Sequence, residues 1–373
     1  MNTIVFIVAK LSQPRCVKRI KSIIDKGYNY KVYGFEDGSY NTDLNKLPFT
    51  INEVFSTPKS SSFYGRIQSI LYPYRCFRRI MKENDSNTVY YIFGYELAKI
   101  FYILGRHNII YEEADINSAK IENCLRRKIA IKLDKKIALS AILTIYTSEG
   151  FVQYLFGSAS RKPNYIIVPN KLSDYFDDSK RKKGIDNVDT SHLRFGFIGL
   201  IRYPKTIFRF AAIIADKYPQ HEFHFFGGVS GNLKIPKELE MSKNIFFHGS
   251  FANPEDLEKI YSQIDVNIAC YDASSAKYAI NVKVAEPNKL YESIFFNVPL
   301  IVSSNTYVGK RVKELGVGTT IECDNDEKIS DFIDSLLPEV LEAYKKNASI
   351  IPTDELIYKP QILLERINPI MNE

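Results

Sequence analysis

The sequence has 373 residues, more than the roughly 250–300 at which a single core stops growing, and it therefore predicts two domains. Its hydrophobic content of 45% and charged content of 25% are ordinary for a soluble globular protein. No segment approaches about 18 uninterrupted apolar residues, which excludes a membrane-spanning helix, and the apolar run before Lys10 is too short for a signal sequence.

The charge is unevenly distributed along the chain. The net charge is +7, yet residues 1–192 contain 30 Lys and Arg against 19 Asp and Glu, whereas the remainder contains 20 against 24. A basic first half and a mildly acidic second half indicate that one domain meets an anionic surface. No nucleic-acid recognition motif accompanies the basic charge, so nucleic acid is not an expected partner.

Neither a disulfide framework nor a metal site is indicated. The five cysteines are odd in number, scattered and without CxxC spacing, which favours the cytoplasm as the compartment. The one Asp-x-Asp motif, at residues 324–326, is typical of a turn, and His221 and His224 have no third ligand near them in sequence. No metal and no cofactor are therefore expected.

In the first half, apolar runs alternate with helical patterns. Residues 3–9 predict a central parallel strand, and residues 14–26 predict an amphipathic helix that ends at Gly27. A long helix is predicted over residues 62–81. Further strands are predicted over residues 30–35, 51–56, 89–93, 109–112, 141–148 and 166–169. Strands separated by helices indicate a parallel sheet that is covered on both faces.

Residues 173–193 are polar and charged, and they predict a linker between a domain of residues 1–172 and a domain of residues 194–350. The strand and helix alternation restarts after this linker. The tail, residues 351–373, is predicted to be helical and to pack back on the first domain. The predicted fold class is α/β, with two Rossmann-like doubly wound domains facing a cleft at the carboxyl ends of their strands.

The stretch 283–304, KVAEPNKLYESIFFNVPLIVSS, predicts a helix that begins at Pro287 and a buried strand after it. Glu286 is a poor N-cap, which leaves the N–H groups of Asn288 and Lys289 available to an anion. Lys289 is therefore predicted to bind phosphate, and Glu292, on the same helix face, to bind a sugar diol. The alternative is an exposed Lys289–Glu292 pair on a helix that only docks.

The stretch 195–205, FGFIGLIRYPK, places Gly199 at the end of a strand, where a backbone can approach a ligand. Arg202 and Lys205 follow and predict a clamp for a diphosphate. The alternative is a turn glycine followed by two solvated cations.

Four segments of the second half carry a resemblance to a known family. FGFIGLIRYPK, the glycine doublet at 227–228, NIFFHGSFANPEDLEKIYSQIDVNIACY and EPNKLYESIFFNVPLIVS together resemble GT-B glycosyltransferases, above all the retaining enzymes of family 4 that build capsules and surface polysaccharides. In the first half, QPRCVKRIKSIIDKGYNYKVYGF, IIYEEAD, TIYTSEGF and IIVPNK are similar more loosely. The resemblance covers most of the chain.

The resemblance implies a site for a nucleotide-sugar donor in the second domain. Glu292 would hold the ribose, Asn288 and Lys289 would lie at the phosphates, and Gly249 and Ser250 would lie near the base. The implied donor site comprises Gly199, Arg202, Lys205, Gly249, Ser250, Asn288, Lys289 and Glu292.

The chain departs from the family at three points. The family usually has a Glu-x7-Glu pair whose first member contacts the donor sugar, whereas Glu286 and Glu292 form a Glu-x5-Glu. The arginine and the lysine of the family's clamp are usually farther apart than they are here. In IIYEEAD an alanine stands where the family often has a histidine. The carboxylates left to act on the acceptor and the donor sugar are Glu112, Glu113, Asp115 and Glu286.

The implied reaction is transfer of a sugar, with retention, from the nucleotide sugar to a glycan or lipid-linked acceptor in surface polysaccharide synthesis. Cations and a helix dipole would neutralise the leaving nucleoside diphosphate. Two alternatives remain open. One is a nucleotide-sugar 2-epimerase, which needs acid and base residues from both domains, and the other is a catalytically silent nucleotide-sugar-binding partner.

Two basic helices in the first half bear on the acceptor. Phe63–Lys82 mixes aromatic and basic residues, and residues 125–136 align Leu125, Ile129 and Leu133 among six cations. Either this apolar line faces the core beneath a solvated basic face, or the helices lie reversibly on an anionic membrane. The second reading predicts a cytoplasmic protein that is peripheral at the inner face of the membrane.

Overall fold

The computed structural model describes residues 2–11, 13–36, 47–56, 63–84, 87–184, 188–202, 204–231, 233–272 and 279–372, with the backbone alone for residues 63–70. The chain divides into two compact units, which we call unit 1 (Met1–Pro169 with Lys359–Glu373) and unit 2 (Asn170–Tyr358). Each unit is built on one parallel sheet whose strands alternate with helices. The predicted α/β class with two doubly wound domains is confirmed.

Unit 1 contains a seven-stranded parallel sheet. Its strands are β1 (Thr3–Val8), β2 (Tyr30–Glu36), β3 (Glu53–Ser56), β4 (Thr88–Phe93), β5 (Ile109–Glu113), β6 (Leu143–Tyr146) and β7 (Tyr165–Ile167), in the spatial order β3-β2-β1-β4-β5-β6-β7. Its helices before residue 169 are α1 (Pro14–Ile24), α2 (Phe63–Lys82), α3 (Tyr95–Ile103), α4 (Cys124–Ser140) and α5 (Glu149–Phe156). Every residue of β4 is buried, because a central strand of a parallel sheet is covered on both faces.

Unit 2 contains a six-stranded parallel sheet. Its strands are β8 (Arg194–Ile198), β9 (Glu222–Phe226), β10 (Ile245–Gly249), β11 (Val266–Ala269), β12 (Leu300–Ser303) and β13 (Gly318–Ile321), in the order β10-β9-β8-β11-β12-β13. Its helices are α6 (Pro204–Lys217), α7 (Lys237–Glu240), α8 (Leu257–Tyr261), α9 (Ala279–Val284), α10 (Lys289–Phe295), α11 (Tyr307–Leu315), α12 (Asp326–Asp334), α13 (Pro338–Ile350) and α14 (Thr353–Leu356). The chain ends in α15 (Gln361–Asn372), which belongs to unit 1.

The two faces of the unit 2 sheet bury separate hydrophobic clusters. Phe195 and Phe223 lie in the cluster that includes residues of α6 and α12, whereas Ile198 and Phe226 lie in the cluster that includes residues of α8 and α10. This division follows from the alternation of side chains along each strand. All seven residues of α10 are buried, so its polar side chains are enclosed together with its apolar ones.

The segment predicted as a linker, residues 173–193, belongs to unit 2 and packs there. The Phe176 ring lies against Phe295 and Phe296, with ring centroids 5.2 and 5.8 Å away. Arg181 is buried and donates a hydrogen bond of 2.9 Å to the carbonyl of Ala348. The division between units therefore falls after Pro169, because a few buried anchors fix a segment whose composition is otherwise that of a loop.

The predicted tail, residues 351–373, is divided between the two units. Its helix α14 stays in unit 2, and α15 lies in unit 1, where Asn368 accepts a hydrogen bond of 2.7 Å from the hydroxyl of Tyr28.

None of the helices in the described part of the chain has both the length and the apolarity that a bilayer span requires. Unit 1 contains 27 Lys and Arg against 16 Asp and Glu, whereas unit 2 contains 23 against 27.

Candidate functional site

Three glycine-containing loops meet at the carboxyl ends of β8, β9 and β10. The N–H of Gly199 donates to the carbonyl of Phe226 at 2.7 Å, and the N–H of Gly227 donates to the carbonyl of Gly249 at 2.7 Å. A Cβ on Gly227 would lie 2.1 Å from the Gly199 carbonyl oxygen, so no side chain fits there. A Cβ on Gly228 would lie 3.4 Å from the hydroxyl oxygen of Ser250. The loops thus present closely spaced backbone at a point where parallel α/β sheets bind ligands.

Lys289 joins this cluster from α10. A Cβ on Gly199 would lie 3.8 Å from the Cε of Lys289, so the lysine side chain passes beside the first loop. Its Nζ lies 2.7 Å from a carboxylate oxygen of Glu292. The two side chains are only 8% and 2% exposed, which rules out the alternative of a solvated surface pair.

The carboxylate of Glu292 is the centre of a buried hydrogen-bond network. It accepts from the hydroxyl of Tyr261 at 3.0 Å, from the side-chain amide of Asn288 and from Lys289. Asn267, in the middle of β11, donates to the Tyr261 hydroxyl at 3.3 Å and to the hydroxyl of Ser293 at 2.8 Å. Burial, together with the charge of Glu292, raises the pKa of Tyr261 well above its ordinary value, so the phenol is a fixed donor.

Tyr261, Asn267 and Ser293 are members of this network that the sequence reasoning missed. The one signal available was Asn267, a polar residue in the apolar run of a buried strand. The helix itself begins at Lys289, two residues after the predicted start, and its N-cap Asn288 makes no capping hydrogen bond with its side chain. The Asn288 amide is directed to Glu292 instead.

Glu286 is buried, but its carboxylate is bound to other partners. The hydroxyl of Tyr291 donates to it, and the guanidinium of Arg311 lies 3.4 Å away. Burial raises its pKa, and the hydrogen bond from Tyr291 and the charges of Arg311 and Lys171 oppose that rise. Glu286 thus lies near α10 with its carboxylate engaged by α10 and α11.

Arg202 and Lys205 are exposed, and neither forms a hydrogen bond or ion pair with another described residue. Lys205 lines a pocket of about 470 Å³ together with Arg209, Lys283 and Asp324. This pocket is lined by residues at or just after the ends of β11, β12 and β13, by the first turns of α6 and by Lys283 of α9. The structure therefore brings Gly199, Gly249, Ser250, Asn288, Lys289 and Glu292 together, and it places Lys205 in the pocket beyond them.

In unit 1, Glu112 is held by cations at the end of β5. It accepts a hydrogen bond from the hydroxyl of Tyr91, and its carboxylate oxygens lie 3.1 Å from Arg15 and 3.7 Å from Arg19. Arg19 is fully buried and donates to the carbonyl of Val168 at 2.8 Å. Glu112 is therefore a compensated buried charge with no exposed surface.

Glu113 points to the opposite side of the same strand and meets another carboxyl group. Burial and the neighbouring Asp134 raise its pKa well above the ordinary value. The pKa of Asp134 is raised to about 6 by burial, against the hydrogen bonds it accepts from Ser118 at 2.5 Å and Tyr111 at 2.9 Å. The Glu113 carboxyl group consequently keeps its proton to a higher pH than an ordinary glutamate does.

Asp115 is the accessible member of the three predicted acceptor carboxylates. Its side chain is 52% exposed and lies 3.0 Å from the Nζ of Lys120. Across the residues that the structure describes, no group of three or more His, Cys, Asp or Glu side chains is placed to hold a metal ion. The absence of a metal from the reaction stays a prediction.

Comparison with known proteins places the fold among glycosyltransferases. No protein-family model matches the chain, and no curated protein sequence matches it. Sucrose-phosphate synthase from Thermosynechococcus elongatus is similar in structure with a TM-score of 0.72 and 12% identity, over 100% of this chain and 98% of that one. HepE from Anabaena, solved in complex with UDP, is similar with a TM-score of 0.68 and 16% identity over 100% of both chains. WaaG, a glycosyltransferase of lipopolysaccharide biosynthesis, gives 0.61 and 14%, over 95% of this chain and 97% of that one. The chain therefore has the GT-B fold.

Proposed function

We propose that the protein is a glycosyltransferase that moves a sugar, with retention, from a nucleotide-sugar donor to a glycan or lipid-linked acceptor in surface polysaccharide synthesis. The observation that carries this proposal is the buried Lys289–Glu292 pair beside Gly199, at the ends of three parallel strands. The fold shared with HepE, which was solved with UDP, and the resemblance of EPNKLYE to family 4 support it.

The Lys289–Glu292 pair suits the diphosphate of a nucleotide sugar for a physical reason. A lysine enclosed with one carboxylate loses most of its hydration, and the ion pair seldom compensates for that loss in full. A diphosphate that enters beside Gly199 offers the Lys289 ammonium a stronger partner than Glu292. Once Lys289 turns to the phosphate, the oxygen of Glu292 that it occupied accepts a ribose hydroxyl, while Asn288 and Tyr261 keep the carboxylate in place.

In the proposed reaction, the bond between the sugar C1 and the diphosphate oxygen breaks, and the acceptor oxygen bonds to C1 on the same face. The leaving diphosphate is neutralised by Lys289, Arg202 and Lys205, which lowers the barrier electrostatically. The acceptor hydroxyl gives its proton to an oxygen of the leaving diphosphate, which departs from the same face of the sugar. Asp115 is the candidate for orienting that hydroxyl because it is exposed, whereas Glu112 and Glu113 support the strand end behind it.

A thermal-shift screen tests the donor site. UDP and UDP-glucose are tried first because of the HepE complex, followed by other nucleoside diphosphates and nucleotide sugars. We expect a ligand that raises the Tm of the wild type and fails to do so for Lys289→Ala and Glu292→Ala. Lys243→Ala, which changes an exposed lysine just before β10, at the opposite end of that strand from Gly249 and Ser250, is the control for charge. If no nucleotide or nucleotide sugar stabilises the wild type, the proposal fails.

One observation favours a second function, that of a nucleotide-sugar-binding protein without transfer activity. Glu286, the candidate for contact with the donor sugar, is engaged by Tyr291 and Arg311. Binding without release of nucleoside diphosphate, in the presence of candidate acceptor glycans and lipid-linked sugars, would support this alternative. Release of the diphosphate with a new glycosidic bond would exclude it. Among the residues that the structure describes, no observation favours the 2-epimerase.

The acceptor side of the proposal rests on unit 1. Its excess of basic residues suits a negatively charged acceptor environment, such as lipid-linked sugars at the inner face of an anionic membrane. WaaG acts in lipopolysaccharide biosynthesis, which is consistent with a role in the assembly of a surface glycan. Reversible, peripheral membrane contact is therefore part of the proposed function.

A further inference from the structure

Helix α4 distinguishes between the two alternatives that its apolar line left open. Leu125 and Ile129, which face the core in the first alternative, are 69% and 60% exposed. The buried side of the helix is formed by Ala130, Asp134, Ile137 and Ala138. Asp134 fixes this rotation, because its carboxyl group accepts the buried hydrogen bonds from Tyr111 and Ser118. The alternative in which the line packs against the core is therefore wrong for Leu125 and Ile129, whereas Leu133 is partly buried.

The exposed apolar pair is surrounded by positive charge. Arg126, Lys128, Lys132 and Lys136 are exposed, and no other described residue forms an ion pair with any of them. The only acidic residue within α4 is Asp134, which is fully buried. Tyr154 of α5 lies near Arg127 and adds an aromatic side chain that is 37% exposed.

This combination distinguishes among the partners that a basic face can have. A second copy of the same face would bring like charges together. A nucleic acid would pair with the cations but leave Leu125 and Ile129 without an apolar environment. The surface of an anionic bilayer satisfies both, since phosphates attract the cations and the acyl boundary accepts two aliphatic side chains and an aromatic one.

We propose that the outward face of α4, formed by Leu125, Ile129 and the exposed cations around them, binds reversibly to anionic lipid bilayers. The inference deepens the proposed function by naming the surface that meets the membrane, and it rests on charge complementarity and exposure. Leu71 of α2, which is 45% exposed, is the other apolar residue of the predicted basic helices that the structure shows at the surface. Tyr64 and Arg66 of α2 lie outside the described side chains.

Cys124 offers a site at which a fluorophore can report this contact. Cys124 is the first residue of α4 and is exposed, whereas Cys16, Cys76, Cys270 and Cys323 are buried. A thiol-reactive, environment-sensitive fluorophore on Cys124 therefore labels the proposed surface of the folded wild type. We expect a blue shift on adding vesicles with 30% phosphatidylglycerol at low salt, no shift with pure phosphatidylcholine, and reversal at high salt. Flotation of unlabelled protein with the same vesicles checks that the dye does not cause the binding.

Two variant pairs separate the apolar and the charge contributions. Leu125→Ser with Ile129→Ser should weaken partitioning by at least tenfold, because the acyl boundary loses two aliphatic side chains. Lys132→Gln with Lys136→Gln should weaken it by about 25-fold, at roughly fivefold per cation near an anionic surface. The matched controls are Leu337→Ser with Ile350→Ser and Lys234→Gln with Lys243→Gln, which change exposed residues of unit 2 and should leave binding unchanged.

Three results would overturn the inference. They are no binding to anionic vesicles at low salt, equal binding to neutral vesicles, and binding that Leu125→Ser with Ile129→Ser leaves intact. A blue shift with duplex DNA or RNA but not with vesicles would assign the face to nucleic acid instead. Because the assay contains no nucleotide or acceptor, it gives its answer even if the donor-site screen fails.

Discussion

Glu292 in unit 2 and Glu113 in unit 1 are both buried, yet their nearest charged groups have opposite signs. Glu292 lies 2.7 Å from the ammonium of Lys289, whereas Glu113 lies beside the carboxyl group of Asp134. The first is therefore half of an ion pair at the candidate donor site. The second has a pKa raised well above the ordinary value, mainly by burial. The difference teaches that the neighbours of a buried glutamate, and not its place near a strand end, decide its charge.

The largest effect is expected from breaking the Lys289–Glu292 pair. Lys289→Met leaves Glu292 as a buried carboxylate without a cation and should lower the free energy of unfolding by about 3–5 kcal/mol. The double variant with Glu292→Gln should recover most of that loss, because no buried charge then remains. Urea unfolding of the single and double variants measures both. A double variant as unstable as Lys289→Met would show that packing, and not charge, holds this site.

A smaller loss is expected at Glu112, the neighbour of Glu113 that has cationic partners. Glu112→Gln removes the carboxylate that lies near Arg15 and near the fully buried Arg19, although the carbonyl of Val168 still accepts from Arg19. The free energy of unfolding should fall by about 2–3 kcal/mol. Urea unfolding of the variant and the wild type measures this loss. A loss no larger than that from removing an exposed ion pair would contradict the assignment of Glu112 as the buried partner of the two arginines.

Glu113→Gln should change the pH dependence of stability more than stability itself. The folded protein holds the Glu113 proton above the ordinary pKa of 4.5, so the wild type loses stability as the pH rises through the raised pKa, by up to about 1.4 kcal/mol per pH unit. Glutamine does not titrate, so the decline measured from pH 5 to pH 8 should be shallower, and the part that remains belongs to Asp134, whose pKa is raised to about 6. Thermal unfolding across that range tests it, and a steeper decline in Glu113→Gln would reverse the sign of the argument.

The smallest effect on stability is expected at the exposed Asp115. Asp115→Asn removes a surface ion pair with Lys120, which is worth about 0–1 kcal/mol. If Asp115 orients the acceptor hydroxyl, transfer should nevertheless fall by about 10²–10⁴-fold while donor binding is retained. Asp25→Asn, which removes an exposed pair with Lys21 in the same unit, is the matched control for both readouts. Unimpaired transfer by Asp115→Asn would leave acceptor orientation to another group.

Much of the fold could be predicted from the sequence because period and burial are local properties. The apolar runs and the helical repeats between them predicted most of the strands and the parallel sheets that they form. The linker was misjudged, because Phe176 and Arg181 are buried by residues far along the chain. The orientation of α4 could not be decided from the sequence for the same reason, since Asp134 is held by partners outside the helix.

The candidate site divides in the same way. The sequence by itself placed Lys289 and Glu292 on one helix face, put Gly199 at a strand end and identified the carboxylates at and just after the end of β5, because spacing along a helix or strand determines which side chains are neighbours. Only the tertiary structure decided that Lys289 and Glu292 are buried together beside Gly199, with Tyr261 and Asn267 behind them. Only packing decided that Glu112 has arginine partners and Glu113 a carboxyl neighbour, since charge state depends on desolvation and on groups from other elements.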